Sequence, residues 1–355
     1  MIETDHRTEL ATLPSLEAKR YPGYRIAAIV PCHNEEAAIA KVVRDLRASV
    51  PDMVVYVYDN RSTDQTASVA AAAGAIVRTE LTKGKGNVVR RAFADIDADL
   101  YLLIDGDDTY DAAMAPQMID ALLAGPYDHV LGVREPEDQL GTAYRPNHEM
   151  GNRVLNNIVG GIFGDNMLDM LSGYRVFSRR FVKSFPAVSR EFEIETELTV
   201  HCLALRVPST SMTVGFRDRA AGSESKLRTY RDGSKILRLI LSLARHERPI
   251  AFYGLLGVLS GIVGLAFMTP VIVDYSRTGL VPRVPSLLLA IGFVGVSVLL
   301  ISAGVVLDGI RKGRHEGSRL AYLSLPAVSV TPIDEALRVH RPLRDAVPGE
   351  RREAV

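Results

Sequence analysis

Tryptophan is absent from the 355 residues, so no motif of the form Q-x-x-R-W can occur. Cysteine appears twice, at Cys32 and Cys202, too far apart for metal-ligand spacing and too few for a disulfide framework. Both read as reduced structural thiols of a cytosolic domain. Charge of either sign is not in excess: 42 basic and 42 acidic residues give a formal net charge of zero, and no nucleic-acid partner is expected. The N-terminus, "MIETDHRTELATLPSLEAKR", has no hydrophobic signal-peptide core. The glycine-lysine stretch "TKGKGN" fits neither G-x-x-x-x-G-K-[ST] nor G-x-G-x-x-G, which excludes a P-loop or a dinucleotide fingerprint there.

Long apolar runs, by contrast, are present twice. Ile250 to Val273 and Val284 to Leu307 carry no charge and each is of bilayer-spanning length. Only Asp274 to Arg283 separates them, so they predict a two-helix transmembrane hairpin. "RHER" (Arg245 to Arg248) precedes the first run and "RKGRH" (Arg311 to His315) follows the second, against Arg277 and Arg283 in the connection. This cation bias predicts an integral protein of the cytoplasmic membrane, with both termini and the N-terminal domain in the cytoplasm. Upstream, Ile236, Leu239, Ile240 and Leu243 fall at helical spacing among Lys235, Arg238 and Arg245, as in an amphipathic helix lying in the membrane interface. Gly257, Gly261 and Gly264 would permit close helix packing, and with it a homo-oligomer formed through the membrane segments.

From Tyr24 to about Phe216, short apolar runs alternate with helix-forming stretches. "RIAAIV", "MVVYVYDN", "GAIVRTE" and "LYLLIDGDD" read as strands, and "STDQTASVAAAAG" as a helix with a Ser or Thr cap and a glycine stop. The pattern predicts an α/β domain with a mostly parallel, Rossmann-like sheet, whose ligands bind at the carboxyl ends of the strands. Asn34 and Glu35, Asp59 and Asn60, and Asp105 and Asp107 fall at three such ends, with Lys83 and Lys85 on the same side. Carboxylates crowded as in "LLIDGDDTYDA" repel unless solvated or neutralised, and at one sheet edge they suit a nucleotide and a metal. Asp108 and Asp111 read as solvated or capping residues of the turn. The resulting division is an extension over 1–23, the sheet domain over 24–230, the interfacial helix over 231–248, the two membrane helices over 249–310 and a cytoplasmic tail over 311–355.

In order along the chain, "IVPCHNEE", "YDNRSTDQT", "KGKGN", "DGDD", "MLSGYRVFSRRF", "FEIETEL" and "FRDRAAGSESKL", followed by two apolar spans, resemble a family 2 glycosyltransferase of GT-A fold. More closely they are similar to the polyisoprenyl-phosphate glycosyltransferases, the group of dolichol-phosphate mannose synthase. The resemblance covers about Arg25 to Arg314. It implies a nucleotide-sugar site at Pro31, Asn34, Glu35, Asp59, Asn60, Lys85 and Asp105. It also implies Mg²⁺ or Mn²⁺ on the catalytic pair Asp105 and Asp107, and a lipid-phosphate site at Arg134, Arg153, Asn157, Arg219 and Lys226. Two departures stand out. The metal motif reads D-G-D-D-T where the family often has D-A-D-L-Q, leaving the role of Thr109 open. "RAAGSESK" is also one residue longer than R-x-x-G-x-S-K, so Arg217 and Arg219 compete for one position. Glu195 or Glu197 would reach the sugar or cap the core.

The reading implied is inverting, metal-dependent transfer of a hexose, glucose or mannose, from a UDP- or GDP-sugar to polyprenyl phosphate. Alternatives are a uronic acid or amino sugar on the same lipid, a non-catalytic nucleotide-sugar-binding membrane adaptor, and a nucleotidyltransferase on a similar sheet. A processive polysaccharide synthase would carry Q-x-x-R-W, which the lack of tryptophan excludes.

Overall fold

A computed structural model describes residues 20–136, 169–191, 193–217 and 245–328. The first strand, β1 (Ile26–Cys32), is an apolar run that ends at a polar turn, and α1 (Ile39–Ser49) follows. The alternation continues through β2 (Val54–Asp59), α2 (Thr66–Ala72), β3 (Ile76–Thr79), α3 (Lys85–Asp95) and β4 (Leu100–Leu103). After a 3₁₀ turn at Ala112–Met114 come α4 (Ala115–Ala124), β5 (His129–Pro136), β6 (Arg175–Ser178), α5 (Arg179–Ser184), α6 (Glu193–Leu205) and β7 (Ser209–Phe216).

The strands form one seven-stranded sheet in the order β3-β2-β1-β4-β6-β5-β7. It is mostly parallel, as expected, with β6 antiparallel to both β4 and β5. Side chains alternate across the pleat, so β1 sends Ile26, Ala28, Val30 and Cys32 into one core with α1 and α4. Its Ala27 and Ile29 enter the other, with Phe93 of α3, Phe181 of α5 and Leu198 of α6. Burial on both faces is why these strands read as continuous apolar runs instead of alternating ones.

One local expectation is corrected. Residue Gln65 occupies the N-cap of α2 and makes no side-chain cap bond. The Asp64 carboxylate instead accepts from the Thr66 amide at 3.0 Å, because the helix starts at Thr66, beyond Ser62 and Thr63. The glycine stop holds, with Gly74 at φ 94°.

Beyond the sheet domain, α7 (Pro249–Thr278) and α8 (Val284–Leu323) are long and apolar enough to cross a membrane by length and composition. They pack against each other as a hairpin, closed by Gly279 in the left-handed region and by a 2.7 Å Arg283–Asp274 ion pair. The glycine stripe of α7 is used within this hairpin: a Cβ at Gly257 would lie 2.8 Å from Ile301, and one at Gly264 3.0 Å from Val294. The close packing anticipated for an oligomer is therefore satisfied inside the chain. Helix α8 does not stop with its apolar run at Leu307 or at residue 310 but continues unbroken to Leu323. Of the segment expected as an interfacial helix, 231–244 lies outside the described residues.

Candidate active site

Parallel pairing brings the carboxyl ends of β1, β2 and β3 into register, with Cys32 opposite Asp59 and Asp59 opposite Thr79. Strand β4 ends beside them and delivers Asp105, Gly106 and Asp107. Because β6 runs the other way, it places Ser172 and Gly173, just before its first residue, at the same edge.

At the centre of this edge Lys85, in the first turn of α3, donates to Asp105 and to Glu195 Oε1, the latter at 2.5 Å. Burial works against the lysine charge, but Asp105 and Glu195 more than offset it and raise its pKa above the ordinary value. Glu195 is pushed up by its own burial and pulled back by Lys85. Buried charges are tolerated only when compensated, so the lysine and the two carboxylates are held together as a unit. Gly173 lets its backbone close on this unit, since a Cβ there would sit 2.5 Å from Asp105 Oδ2.

The Asp107 carboxylate is buried and accepts from the Thr109 hydroxyl at 2.7 Å and from its amide at 3.3 Å. Thr109 thus orients the second aspartate of the pair. Asp108, at φ 57°, turns outward to Lys41 at 2.8 Å, and Asp111 caps the 3₁₀ turn through Ala113 N at 3.0 Å. The intervening Gly106 has a packing cause: a Cβ there would lie 2.4 Å from Cys32 Sγ. That accounts for D-G-D in a chain with cysteine at the end of β1. Burial and the surrounding carboxylates Glu35, Asp105, Asp59 and Asp107 push the Cys32 thiol well up, so it stays protonated.

The loop before α3 is positioned by Asn60. Its side-chain amide donates to Glu80 O and Thr82 O at 2.9 Å each, and its carbonyl accepts from Gly84 N at 2.7 Å. Gly84, at φ 126°, would carry a Cβ only 2.1 Å from Arg190 O. The glycine of "KGKGN" therefore admits the neighbouring 187–190 segment, whose amides at Val188 and Ser189 donate to Glu197 at 2.8 and 2.7 Å. Glu197 is a capping residue, whereas Glu195 belongs to the charged centre.

Asn34 and Asp59 shape the β1 and β2 ends. Asn34, at φ 56°, accepts from Thr63 N at 2.8 Å, and Asp59 accepts from Ser62 N at 3.3 Å. Glu35 is buried, its amide donating to Thr66 Oγ1 at 2.8 Å, while Pro31 sits half-buried near the end of β1. The structure thus gathers Pro31, Asn34, Glu35, Asp59, Asn60, Lys85, Asp105 and Asp107 along one edge.

Arg134 stands apart, on β5. A residue the sequence did not single out, Asp169, takes its guanidinium in a two-pronged pair at 2.7 Å on each arm, and the Phe216 ring lies 5.5 Å away. Arg175 was also missed. Fully buried, it donates to Met170 O, Ser172 O and Thr199 Oγ1 at 2.8 to 3.0 Å and so pins the turn that carries Gly173. Burial lowers its pKa, with Glu195 and Asp169 opposing. Of the two competing arginines, Arg217 lies by the aspartate turn, its amide on Thr109 O at 2.9 Å and its guanidinium 3.6 Å from Asp111. Arg153, Asn157, Arg219 and Lys226 lie outside the described residues.

Residues 27–185 match the family model described as Glycosyl transferase family 2. Glycosyltransferase AglJ of Haloferax volcanii is 36% identical over 241 residues, 68% of this chain and 78% of that protein. The chain belongs to glycosyl transferase family 2. A Shigella flexneri protein, RfbJ, is 52% identical to this glycosyltransferase over 128 residues, 36% of the chain and 98% of the relative. The Dolichyl-phosphate hexose transferase of H. volcanii is 25% identical over 224 residues, 63% of the chain and 95% of the relative. In fold, the glycosyltransferase resembles glucosyl-3-phosphoglycerate synthase of Mycobacterium tuberculosis, solved with Mn²⁺, UDP and phosphoglyceric acid. The TM-score is 0.52 at 21% identity, over 62% of this chain and 78% of that one.

Proposed function

We propose that this glycosyltransferase moves a hexose, glucose or mannose, from a UDP- or GDP-sugar onto polyprenyl phosphate at the cytoplasmic leaflet, with inversion. The observation that carries the reading is the Asp105/Asp107 pair beside the buried Lys85–Glu195 unit, in one chain with two helices of membrane-crossing length. The name of the H. volcanii dolichyl-phosphate hexose transferase supports the same acceptor class.

Among the described residues no group of three or more His, Cys, Asp or Glu could hold a metal ion. Two carboxylates nevertheless fit Mg²⁺ or Mn²⁺, because such hard ions are commonly held by one or two carboxylates and complete their shell with substrate phosphates and water. Asp105 and Asp107 would hold the ion, which when bound stabilises charge on the departing nucleoside diphosphate. Asn34, Glu35 and Asp59 would bind the base and ribose of the donor, and Lys85 would keep Asp105 and Glu195 in place beneath the sugar. A phosphate monoester acceptor, with a second pKa near 6, is already largely dianionic at neutral pH and needs positioning more than a base. Arg153, Asn157, Arg219 and Lys226 are the proposed positioning groups. Arg134 would join them by exchanging Asp169 for the phosphate.

Incubating the purified protein in micelles of polyprenyl phosphate with a panel of labelled nucleotide sugars tests the proposal. One hexosyl lipid product, lost in EDTA and regained with Mg²⁺ or Mn²⁺, is expected. Turnover that survives EDTA would remove the metal, and release of free sugar with no lipid product would remove the acceptor.

A further inference from the structure

The apolar run of α8 ends at Leu307, where Asp308 is bound by Arg311 at 3.0 Å and Lys312 at 2.9 Å. A run of about twenty residues suffices to cross the hydrocarbon core, yet α8 has 40 residues and is continuous to Leu323. At about 1.5 Å per residue, roughly 24 Å of helix projects beyond Leu307. One face of this projection is covered, while residues such as Ile310, Leu320 and Leu323 stay exposed. It packs on α5 and α6, and at its far end Tyr322 joins the core beneath that face of the sheet.

The contact is specific. Asp128 is fully buried immediately before β5, and the Tyr322 hydroxyl donates to its Oδ2 at 2.5 Å. Arg180 of α5 grips the same carboxylate with Nε at 2.7 Å and Nη2 at 2.5 Å, and the Ser178 hydroxyl donates at 2.6 Å. The Arg180 guanidinium also lies over the Tyr322 ring, 4.6 Å from its centroid. One turn earlier, Arg319 donates to Leu205 O at 3.4 Å, and two turns earlier His315 sits 3.5 Å from Glu247. A buried carboxylate satisfied by three elements resists being moved, because stripping one donor leaves charge uncompensated.

We infer that the projecting part of α8 is a strut, clasped to the catalytic domain by Tyr322 on Asp128 and Arg180, that sets the height and tilt of the active-site edge over the bilayer. Tyr322 is then a positioning residue for transfer to an acceptor whose phosphate is held at headgroup level, a role that rests on the membrane and lipid-acceptor reading above. The clasp lies on α5 and at the residue before β5, away from the Asp105/Asp107 turn, so loosening it leaves donor binding intact.

The test uses the full chain in nanodiscs, as wild type, Tyr322→Phe and Tyr322→Ala. Spin labels on cysteines introduced at the exposed Ser68 and Leu280 report the distance between catalytic domain and hairpin loop, and the two native cysteines are buried. A narrow wild-type distribution that broadens in Tyr322→Ala is expected, and an unchanged distribution overturns the clasp. In parallel, kcat/KM is measured with long-chain polyprenyl phosphate in the bilayer and with a short, water-soluble prenyl phosphate, alongside the donor Kd. Tyr322→Ala should lose about tenfold or more with the embedded acceptor and less than about twofold with the soluble one, at unchanged donor Kd. Tyr322→Phe, which keeps the ring under Arg180, should fall between. Equal losses on both acceptors, or no loss on either, overturn the positioning role. A wild type inactive on both acceptors removes the lipid-acceptor reading itself, while the distance measurement still decides the clasp.

Discussion

At the scale of single residues, Asp107 and Thr109 make the sharpest prediction. The carboxylate sits at a strand end, oriented by a 2.7 Å hydroxyl bond and contributing little to either apolar core. Asp107→Ala is expected to keep its circular dichroism and lose metal-dependent turnover, and full activity in that variant would sink the assignment. Thr109→Val keeps the shape and removes one donor to a charged group, a bond worth about 1.5 to 3 kcal/mol, so kcat/KM should fall roughly tenfold to hundredfold. An unaltered rate would show that other groups orient Asp107. The acceptor side has its own test. Arg153→Gln or Lys226→Gln should weaken dependence on polyprenyl phosphate by a similar factor while the calorimetric donor Kd holds. The aspartate pair was legible because its residues are adjacent in one turn. The Arg134–Asp169 pair was not, since it joins positions 35 residues apart with no spacing rule between them.

At the scale of elements, the packing of Gly106 against Cys32 couples β1 to the aspartate turn. Gly106→Ala overfills the site, and overpacking a well-packed position costs about 1 to 3 kcal/mol. Removing the sulfur in Cys32→Ala/Gly106→Ala should recover most of the loss, giving a coupling energy well outside additivity in a thermal double-mutant cycle. Additive effects would mean the clash relaxes elsewhere. The four parallel strands of the first half were readable because each is a short apolar run bounded by turn chemistry. The reversal at β6 was not, because "YRVFSRRF" carries the same local preferences whichever way the strand runs.

At the scale of the whole molecule, two buried histidines among the described residues set an acid limit. His201 is lowered from 6.5 to about 4, by burial and by the neighbouring His315, and burial, with Arg175, lowers His129 well below the ordinary imidazole range. Between pH 6.5 and 4 the unfolded chain binds a proton at position 201 that the folded chain refuses. Stability is therefore complete above 6.5 and falls by about 3 kcal/mol as pH drops to 4. His201→Asn should flatten the decline of melting temperature over that window, and an unchanged slope would assign the acid sensitivity elsewhere. Topology gives the second test: a reporter at Leu280, between α7 and α8, should be labelled from outside the cytoplasm and one after Val355 should not. Labelling of both from one side would contradict the hairpin orientation.

The sequence by itself determined the α/β alternation, the two apolar helices, the acidic turn after β4 and the family, since each is written in contiguous residues whose periodicity or order is local. Only the tertiary structure decided what those residues touch. It placed Lys85 between Asp105 and Glu195, gave Asn60 to the glycine loop, turned the glycine face of α7 toward α8, and carried α8 past its apolar run to Asp128. These contacts join positions as far apart as 128 and 322. What selects them is the satisfaction of buried charge and the filling of buried volume, conditions that exist only once the chain has closed on itself.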